Sequence, residues 1–409
     1  MAHVAGAQSP DCKPSARANP PSPREEPATV CRLLSALSAD SMEGRATGSR
    51  GAHRASRFIA EQFRAAGLEP AGDSGYFQRV PLLRSERVTG RSSFGLAPSF
   101  AARDTFPEAR RGLDVNVIGR LTGSDPRLKD SVVLVDAHFD HLGLARSPVD
   151  IDSMLAWQAL AAPIRAERDA WFKKSGLAAR ADRGGNQLTD EERKTMASFS
   201  TRIAGLRVNM DSIRRVHPTP RRDSVFNGAD DDASGVIAVI EIARRLASGP
   251  RPKRTVIFMA TTGEESGLLG ARWYMEHPVV PNEALVANLE IEMIGRPDSL
   301  SGGKGRAWLT GFERSTMGEI LAANGVPIGP DKRPEQSFFA RSDNIAFAQM
   351  GIPAHTLSSF NLHEDYHQVT DDVRAVDFEH MAAVIDAAVK AVDLLANGPA
   401  PVWKPGGKP

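Results

Sequence analysis

"NGADDDASGVIAVIEIARRLASGPRPKRTVIFMATTGEE", residues 227–265, decides the fold. Its middle, "SGVIAVIEIARRLASG", has apolar residues at helical spacing and a glycine stop. "TVIFMATT" follows as a short, β-branched apolar run, the composition of a buried strand. Asp230, Asp231 and Asp232 precede the helix, and Glu264 and Glu265 follow the strand. One helix–strand unit therefore carries acidic groups at both of its mouths.

Similar units lie on either side. "VNVIGRL" (115–121), "SVVLVDAHF" (131–139), "LVANLEIEM" (285–293) and "PAHTLSS" (353–359) read as further strands. Helical patterns cover 315–324, 341–350 and 377–396. Strands alternating with helices of this length predict an α/β layer fold around a largely buried sheet.

Residues 150–216 interrupt the alternation with helix and no strand signal. Thr189 and Glu192 form a T-x-x-E capping box. Beyond it Met196, Phe199, Ile203, Leu206, Met210 and Ile213 recur at steps of three and four. That is an apolar seam of the kind two packed helices share. Its partner is expected around Trp157, Leu160, Ile164 and Trp171, with Pro163 as a candidate kink and "ADRGGNQ" (181–187) as the turn. The segment is read as a helical hairpin inserted into a single domain spanning 29–398. Residues 1–28, rich in Pro, Ala and Ser, are expected to form a disordered leader, and 399–409 a flexible tail.

Composition excludes other classes. Lys and Arg number 51 against 50 acidic residues, so no net field draws the chain to nucleic acid. No stretch approaches the roughly 20 apolar residues of a membrane span. Cys12 and Cys31 are the only cysteines, too far apart for the paired spacing of a Cys-based zinc site, and the sequence leaves open whether they pair. Ala5-Gly6-Ala7 resembles the small-residue end of a secretory signal, which points to a secreted or periplasmic setting; the alternative reading is a low-complexity start.

The chemistry gathers at strand ends. His138, Asp140 and His141 end one strand; Asp230–Asp232 open a helix; Glu264 and Glu265 end a second strand; Glu292 ends a third; "HEDYHQ" (363–368) follows the last. Singly each has a structural explanation: an acid triplet caps helices, and paired glutamates suit a helix first turn. Jointly they do not, because carboxylates crowded outside the carboxyl ends of one sheet cost heavily unless cations are present.

These stretches carry a resemblance. "NVIGRLTGSDPRLKDSVVLVDAHFDHLG", "VFNGADDDASGVIAVIEIARRL", "FMATTGEESGLLGA", "NLEIEMIGR", "ARSDNIAFAQMGIPA" and "DYHQVTDD" resemble the co-catalytic two-zinc aminopeptidase family, whose relatives include glutamate carboxypeptidases and glutaminyl cyclases. The upstream "LSADSMEGRATGSRGAHRASRFIAEQFRAAGLEP" resembles that family's N-terminal helical region. The resemblance covers about 30–395 apart from the hairpin.

It implies a mixed sheet sandwiched by helices and two zinc ions. His138 and Glu292 would hold one ion, Glu265 and His367 the other, and Asp231 would bridge. Asp140 matches a supporting carboxylate and Glu264 the general base. Many members have Asp where Glu292 stands, so this site reaches one methylene further. The implied substrate is a peptide, cleaved from its N-terminus. Rival readings on the same fold are a carboxypeptidase or dipeptidase, a glutaminyl cyclase, and a non-catalytic binding module.

His363-Glu364-Asp365-Tyr366-His367 also spells H-E-x-x-H, which on a helix serves a single zinc. Here the string follows a strand and has no helical run long enough to mount both histidines. Only His367 is needed from it, and His363 and Glu364 are expected at the pocket rim. The hairpin, rooted between His138 and Asp231, is expected beside the pocket mouth, where it can overhang the crevice or reach a neighbouring subunit.

Overall fold

The structure, a computed structural model, describes residues 12, 26–86, 92–177 and 188–409. Its strands are β1 (Glu69–Pro70), β2 (Phe77–Glu86), β3 (Ser92–Leu96), β4 (Arg111–Leu121), β5 (Val132–His138), β6 (Gly143–Asp150), β7 (Arg222–Phe226), β8 (Thr255–Thr261), β9 (Leu285–Glu292), β10 (Ala307–Leu309), β11 (Ile328–Pro330) and β12 (Ala354–Ser358). Ten form one sheet in the order β11-β10-β12-β9-β5-β8-β4-β2-β3, with β1 paired to β4. β12, β9, β5 and β8 are parallel, and β4, β2 and β3 continue antiparallel. The sheet is mixed, as expected.

Every residue of β5 and β8 is buried, which is why both read as largely apolar runs rather than alternating ones. The helix Gly235–Ser248 is apolar nearly all round because it lies inside one layer, with the helices Pro27–Leu37, Arg50–Ala65 and Phe378–Asn397 beside it. On the opposite face Leu269–Glu276 and Asn344–Gln349 cover Ile257, Met259 and Leu134. Gly235 fixes the approach of helix to strand: a Cβ there would lie 2.0 Å from the Ile291 carbonyl oxygen.

The four central strands and the long C-terminal helix fall where the sequence placed them. The helix expected over 341–350 is shorter, Asn344–Gln349, because Phe338–Ala340 forms a separate 3-10 turn. β2 and β3 give no apolar run to read, being outer antiparallel strands.

The segment expected to form the inserted hairpin is helical but differs in detail. It stands on a two-stranded ribbon, β6 with β7, whose polar sequences gave no strand signal. Ile151–Ser175 is one continuous helix through Pro163, followed by Asp190–Ala204 and Met210–Val216. The Thr189–Glu192 capping box forms. The seam is more open than expected. Phe199 is buried and meets Trp171 at 6.1 Å between ring centroids, whereas Leu160 and Met210 remain exposed. The turn at 181–187 lies outside the described residues.

One expectation about the ends changes, and one open question closes. Residues 399–409 dock: Trp403 Nε1 donates to the Gly351 carbonyl, and the Thr316 and Lys404 main-chain N–H groups donate to Val402 and Arg314 carbonyls. Cys12 and Cys31 are disulfide-bonded, which ties one point of the leader to the first helix. The remainder of residues 1–25 lies outside the described residues. Among the described residues no helix is long and apolar enough to cross a membrane.

Candidate metal centre

The parallel strands β5, β8, β9 and β12 deliver four of the segments at their carboxyl ends, where open α/β sheets place ligands. β5 ends in His138, with Asp140 and His141 on the loop beyond; Glu264 and Glu265 follow β8; Glu292 ends β9; and the loop after β12 brings His367. The fifth segment is the turn Ala229–Ser234, with a cis Asp231–Asp232 peptide, that opens the helix Gly235–Ser248.

Asp231 stands between two groups of side chains. His138 Nε2 is 3.2 Å from Asp231 Oδ1 and 3.9 Å from Glu292 Oε1. On the other side His367 Nε2 is 3.1 Å from both Asp231 Oδ2 and Glu265 Oε1. His138, Asp231 and Glu292, and likewise His141, Asp231 and Glu265, place one donor atom each within 4.8 Å of one another. His138 Nε2, Asp231 Oδ2 and Glu265 Oε1 are buried, yet none makes a hydrogen bond. An unpaired buried polar atom costs about 1–3 kcal/mol. Imidazole nitrogens and carboxylate oxygens are zinc donors, so this convergence of orphaned atoms fits metal binding.

The electrostatics agree. Burial pushes the Glu264 carboxyl well above its ordinary range, reinforced by Glu292, Asp343 and Glu265 nearby. Burial likewise lifts Glu292 to about 8 and Asp140 to about 7. Despite burial, the facing histidines hold Asp231 and Glu265 below their ordinary range. The crevice thus resists ionising Glu264, Glu292 and Asp140 while keeping Asp231 and Glu265 charged, and cations would relieve the first three.

A surrounding layer fixes these groups. The His138 ring presents Nε2 inward because its Nδ1 faces the Asp140 main-chain carbonyl at 3.1 Å. The Asp140 carboxylate, 3.8 Å from that ring, does a different job: Oδ1 accepts the Glu264 main-chain N–H at 3.0 Å and Oδ2 the Thr47 hydroxyl at 2.8 Å. Asp371 accepts the N–H groups of Asp230 and Asp231, both at 3.1 Å, and Asp232 Oδ1 accepts those of Gly235 and Met293. Arg45 is fully buried and donates to the carbonyls of Leu37, Phe139, Asn227 and Gly228, clamping the β5 loop to the aspartate turn. Burial lowers its guanidinium to about 10. Arg45 and Asp371 fall inside stretches that carry the resemblance, but neither was singled out, because a lone Arg or Asp in a loop looks like surface.

The H-E-x-x-H string is not a helix. Residues 364–367 are turn and His367 has φ +59°. The two histidines diverge: His367 enters the metal crevice, while His363 Nε2 is 3.0 Å from Asp230 Oδ2. His363 is thus an inner partner of Asp230 rather than the rim residue expected. Glu364 is exposed, and its carbonyl accepts the Gln158 side-chain amide at 2.7 Å. That bond ties the hairpin to the loop carrying His367.

Beside Glu264, Asp231 and Glu292 opens a pocket lined by Met293, Trp308, Phe338, Arg341, Phe360 and Tyr366. Trp308 stacks on Phe338 at 5.1 Å, and Phe360 meets Phe338 edge-on at 5.9 Å.

Residues 210–392 match the model of peptidase family M28. Curated relatives include vacuolar membrane proteases of Aspergillus clavatus, 26% identical over 181 residues, and of Coccidioides posadasii, 28% over 182. Those matches cover 43% and 41% of this chain, which spans only 18% and 16% of those proteins. An aminopeptidase from Aneurinibacillus sp. strain AM-1 superimposes with TM-score 0.54 at 13% identity, covering 93% of this chain and 97% of that one. The zinc aminopeptidase BSAP from Bacillus subtilis gives 0.54 at 13%, covering 91% and 95%. Porphyromonas gingivalis glutaminyl cyclase gives 0.50 at 14%, covering 90% and 98%. The resemblance read from the strand-end motifs stands as a similarity: residues 210–392 match the peptidase family M28 model, and the fold is like that of those aminopeptidases and that cyclase.

Proposed function

We propose that the chain is a metal-dependent peptidase that releases residues from the N-termini of peptides, with two zinc ions in the crevice. The observation that carries this reading is Asp231, whose two carboxylate oxygens face two separate donor groups. His138 and Glu292 would complete one site, and Glu265 and His367 the other. Zinc bound there would polarise a peptide carbonyl and acidify a water.

The remaining work falls to this chain's own residues. Glu264 lines the pocket beside both sites, and its buried carboxyl is poised to hold a proton. It would take the proton of the attacking water and give it to the leaving amine; such acid–base help contributes about 10²–10⁴-fold. Asp140 would keep Glu264 in place through its main chain. The aromatic pocket would receive an apolar side chain of the substrate, since Trp308, Phe338 and Phe360 offer surface to bury. The hairpin, held to the His367 loop by Gln158, would limit how far a peptide extends. The Cys12–Cys31 disulfide supports a secreted or periplasmic setting.

A panel of aminoacyl, peptidyl and N-terminal glutaminyl substrates tests the activity. Release of free N-terminal residues supports the proposal. Cyclisation of N-terminal glutamine without peptide cleavage would replace it with the cyclase reading.

A further inference from the structure

His141 has no role in the five-ligand reading, yet it sits deeper in the crevice than His367. Its side chain is fully buried, whereas His367 keeps a third of its surface. His141 Nδ1 lies 2.9 Å from Glu265 Oε1 and 3.8 Å from Asp231 Oδ2, the same two oxygens that His367 faces. At 2.9 Å a hydrogen bond between ring and carboxylate is expected, but neither His141 Nδ1 nor Glu265 Oε1 makes one. Two donors this close without a hydrogen bond between them are what convergence on one ion would produce. Nε2 has no partner either, so no hydrogen bond accounts for burying this imidazole.

The ring's placement is built into the backbone around it. The His141 main-chain N–H donates to the carbonyl of Arg45, the residue that clamps the β5 loop to the aspartate turn. The ring packs beside Gly228, where φ is +53° and a Cβ would come within 2.6 Å of two ring carbons. The same Cβ would lie 2.2 Å from the Asp231 carbonyl oxygen, so a side chain at 228 would crowd the aspartate turn as well as the imidazole. Across the crevice the His141 and His367 rings are 5.6 Å apart at 68°, a separation and tilt that two imidazoles on one ion can adopt.

We propose that His141 is a further ligand of the ion held by Glu265 and His367, which makes the two metal positions chemically unequal. This rests on the two-metal reading above. One position then has a single imidazole, His138, with carboxylates from Asp231 and Glu292. The other has two imidazoles, His141 and His367, with carboxylates from Asp231 and Glu265. Nitrogen donors favour zinc, cobalt and nickel, while oxygen-rich sites suit manganese and magnesium. The His141 position therefore fills first with zinc, and the Glu292 position is the one that exchanges.

X-ray absorption on the wild-type protein loaded with zinc reads the donors directly. The proposal expects three imidazoles shared over two zincs. Chelator competition on His141→Ala and His141→Asn supplies the second measurement, with one zinc weakened by about 100-fold or more and the other within threefold of wild type. Two imidazoles over two zincs, or both variants keeping wild-type affinity for both ions, would overturn the proposal while leaving the two-metal reading intact. A wild type that never binds a second zinc would remove the two-metal reading, and this proposal with it. Should neither variant fold, the imidazole count decides alone.

Discussion

Asp140 Oδ1 accepts the main-chain N–H of Glu264 at 3.0 Å, so the loop ending β5 holds the loop ending β8. The candidate base is thus positioned by a carboxylate 124 residues earlier in the chain. Asp140→Asn keeps an oxygen acceptor for that N–H, and Asp140→Ala removes it. The expected outcome is a small loss of turnover in the first and a loss of tenfold or more in the second, with metal content unchanged in both. Equal losses in the two variants would mean that the charge matters and the hydrogen bond does not.

Glu264 and Glu364 are the two glutamates that competing readings would make the base. Glu264→Gln should retain its metals and lose about 10²–10⁴-fold in kcat, since an amide cannot accept the water's proton. Glu364, exposed and outside the crevice, should tolerate the same change with kcat within a few-fold of wild type. Steady-state kinetics with metal analysis checks both, and a reversed pattern would restore the H-E-x-x-H reading.

His355 makes stability depend on pH away from the metals. Burial pushes its imidazole down to about 4, and the neutral ring bonds Ser315 and the Thr310 carbonyl, each at 2.7 Å. A base with a folded-state pKa below its unfolded value near 6.5 contributes fully above pH 6.5 and loses that contribution as pH falls toward 4. The gap corresponds to something on the order of 3 kcal/mol. Between pH 7 and 4 the stability advantage of wild type over His355→Gln should shrink by up to that amount, read from denaturant midpoints. A constant difference would contradict it.

The hairpin's role is tested by removing it. Asp150 pairs with Arg222 in the β6–β7 ribbon, so a short Gly/Ser linker can close the stalk after residues 151–216 are deleted. Metal content should be unchanged, and activity on long peptides should rise relative to small aminoacyl substrates. Unchanged relative activity across substrate lengths would show that the hairpin does not gate the crevice.

What the sequence revealed followed burial and periodicity. β5 and β8 were legible because strands buried on both faces are rich in apolar residues. β9 and β12 are buried along most or all of their length but mix in polar residues, and the ends of all four carried the ligand candidates. β6 and β7 were not legible, because a solvent-facing ribbon such as "GLARSPVD" leaves no such trace. The docked tail was invisible for a related reason: Trp403 and three main-chain hydrogen bonds hold it, and neither has a period. His141 was in plain view, three residues after His138, but only its burial and orphaned ring nitrogens distinguish it from a loop histidine. Arg45 and Asp371 act through backbone groups far away in sequence, and such contacts leave no local pattern.

The central claim is that Asp231 bridges two ions. Metal analysis of the purified, zinc-saturated protein tests it most directly. The account predicts two zincs per chain, with Asp231→Ala losing both and His363→Ala retaining both. One zinc per saturated chain, lost when His363 is replaced and kept when Asp231 is replaced, would contradict it.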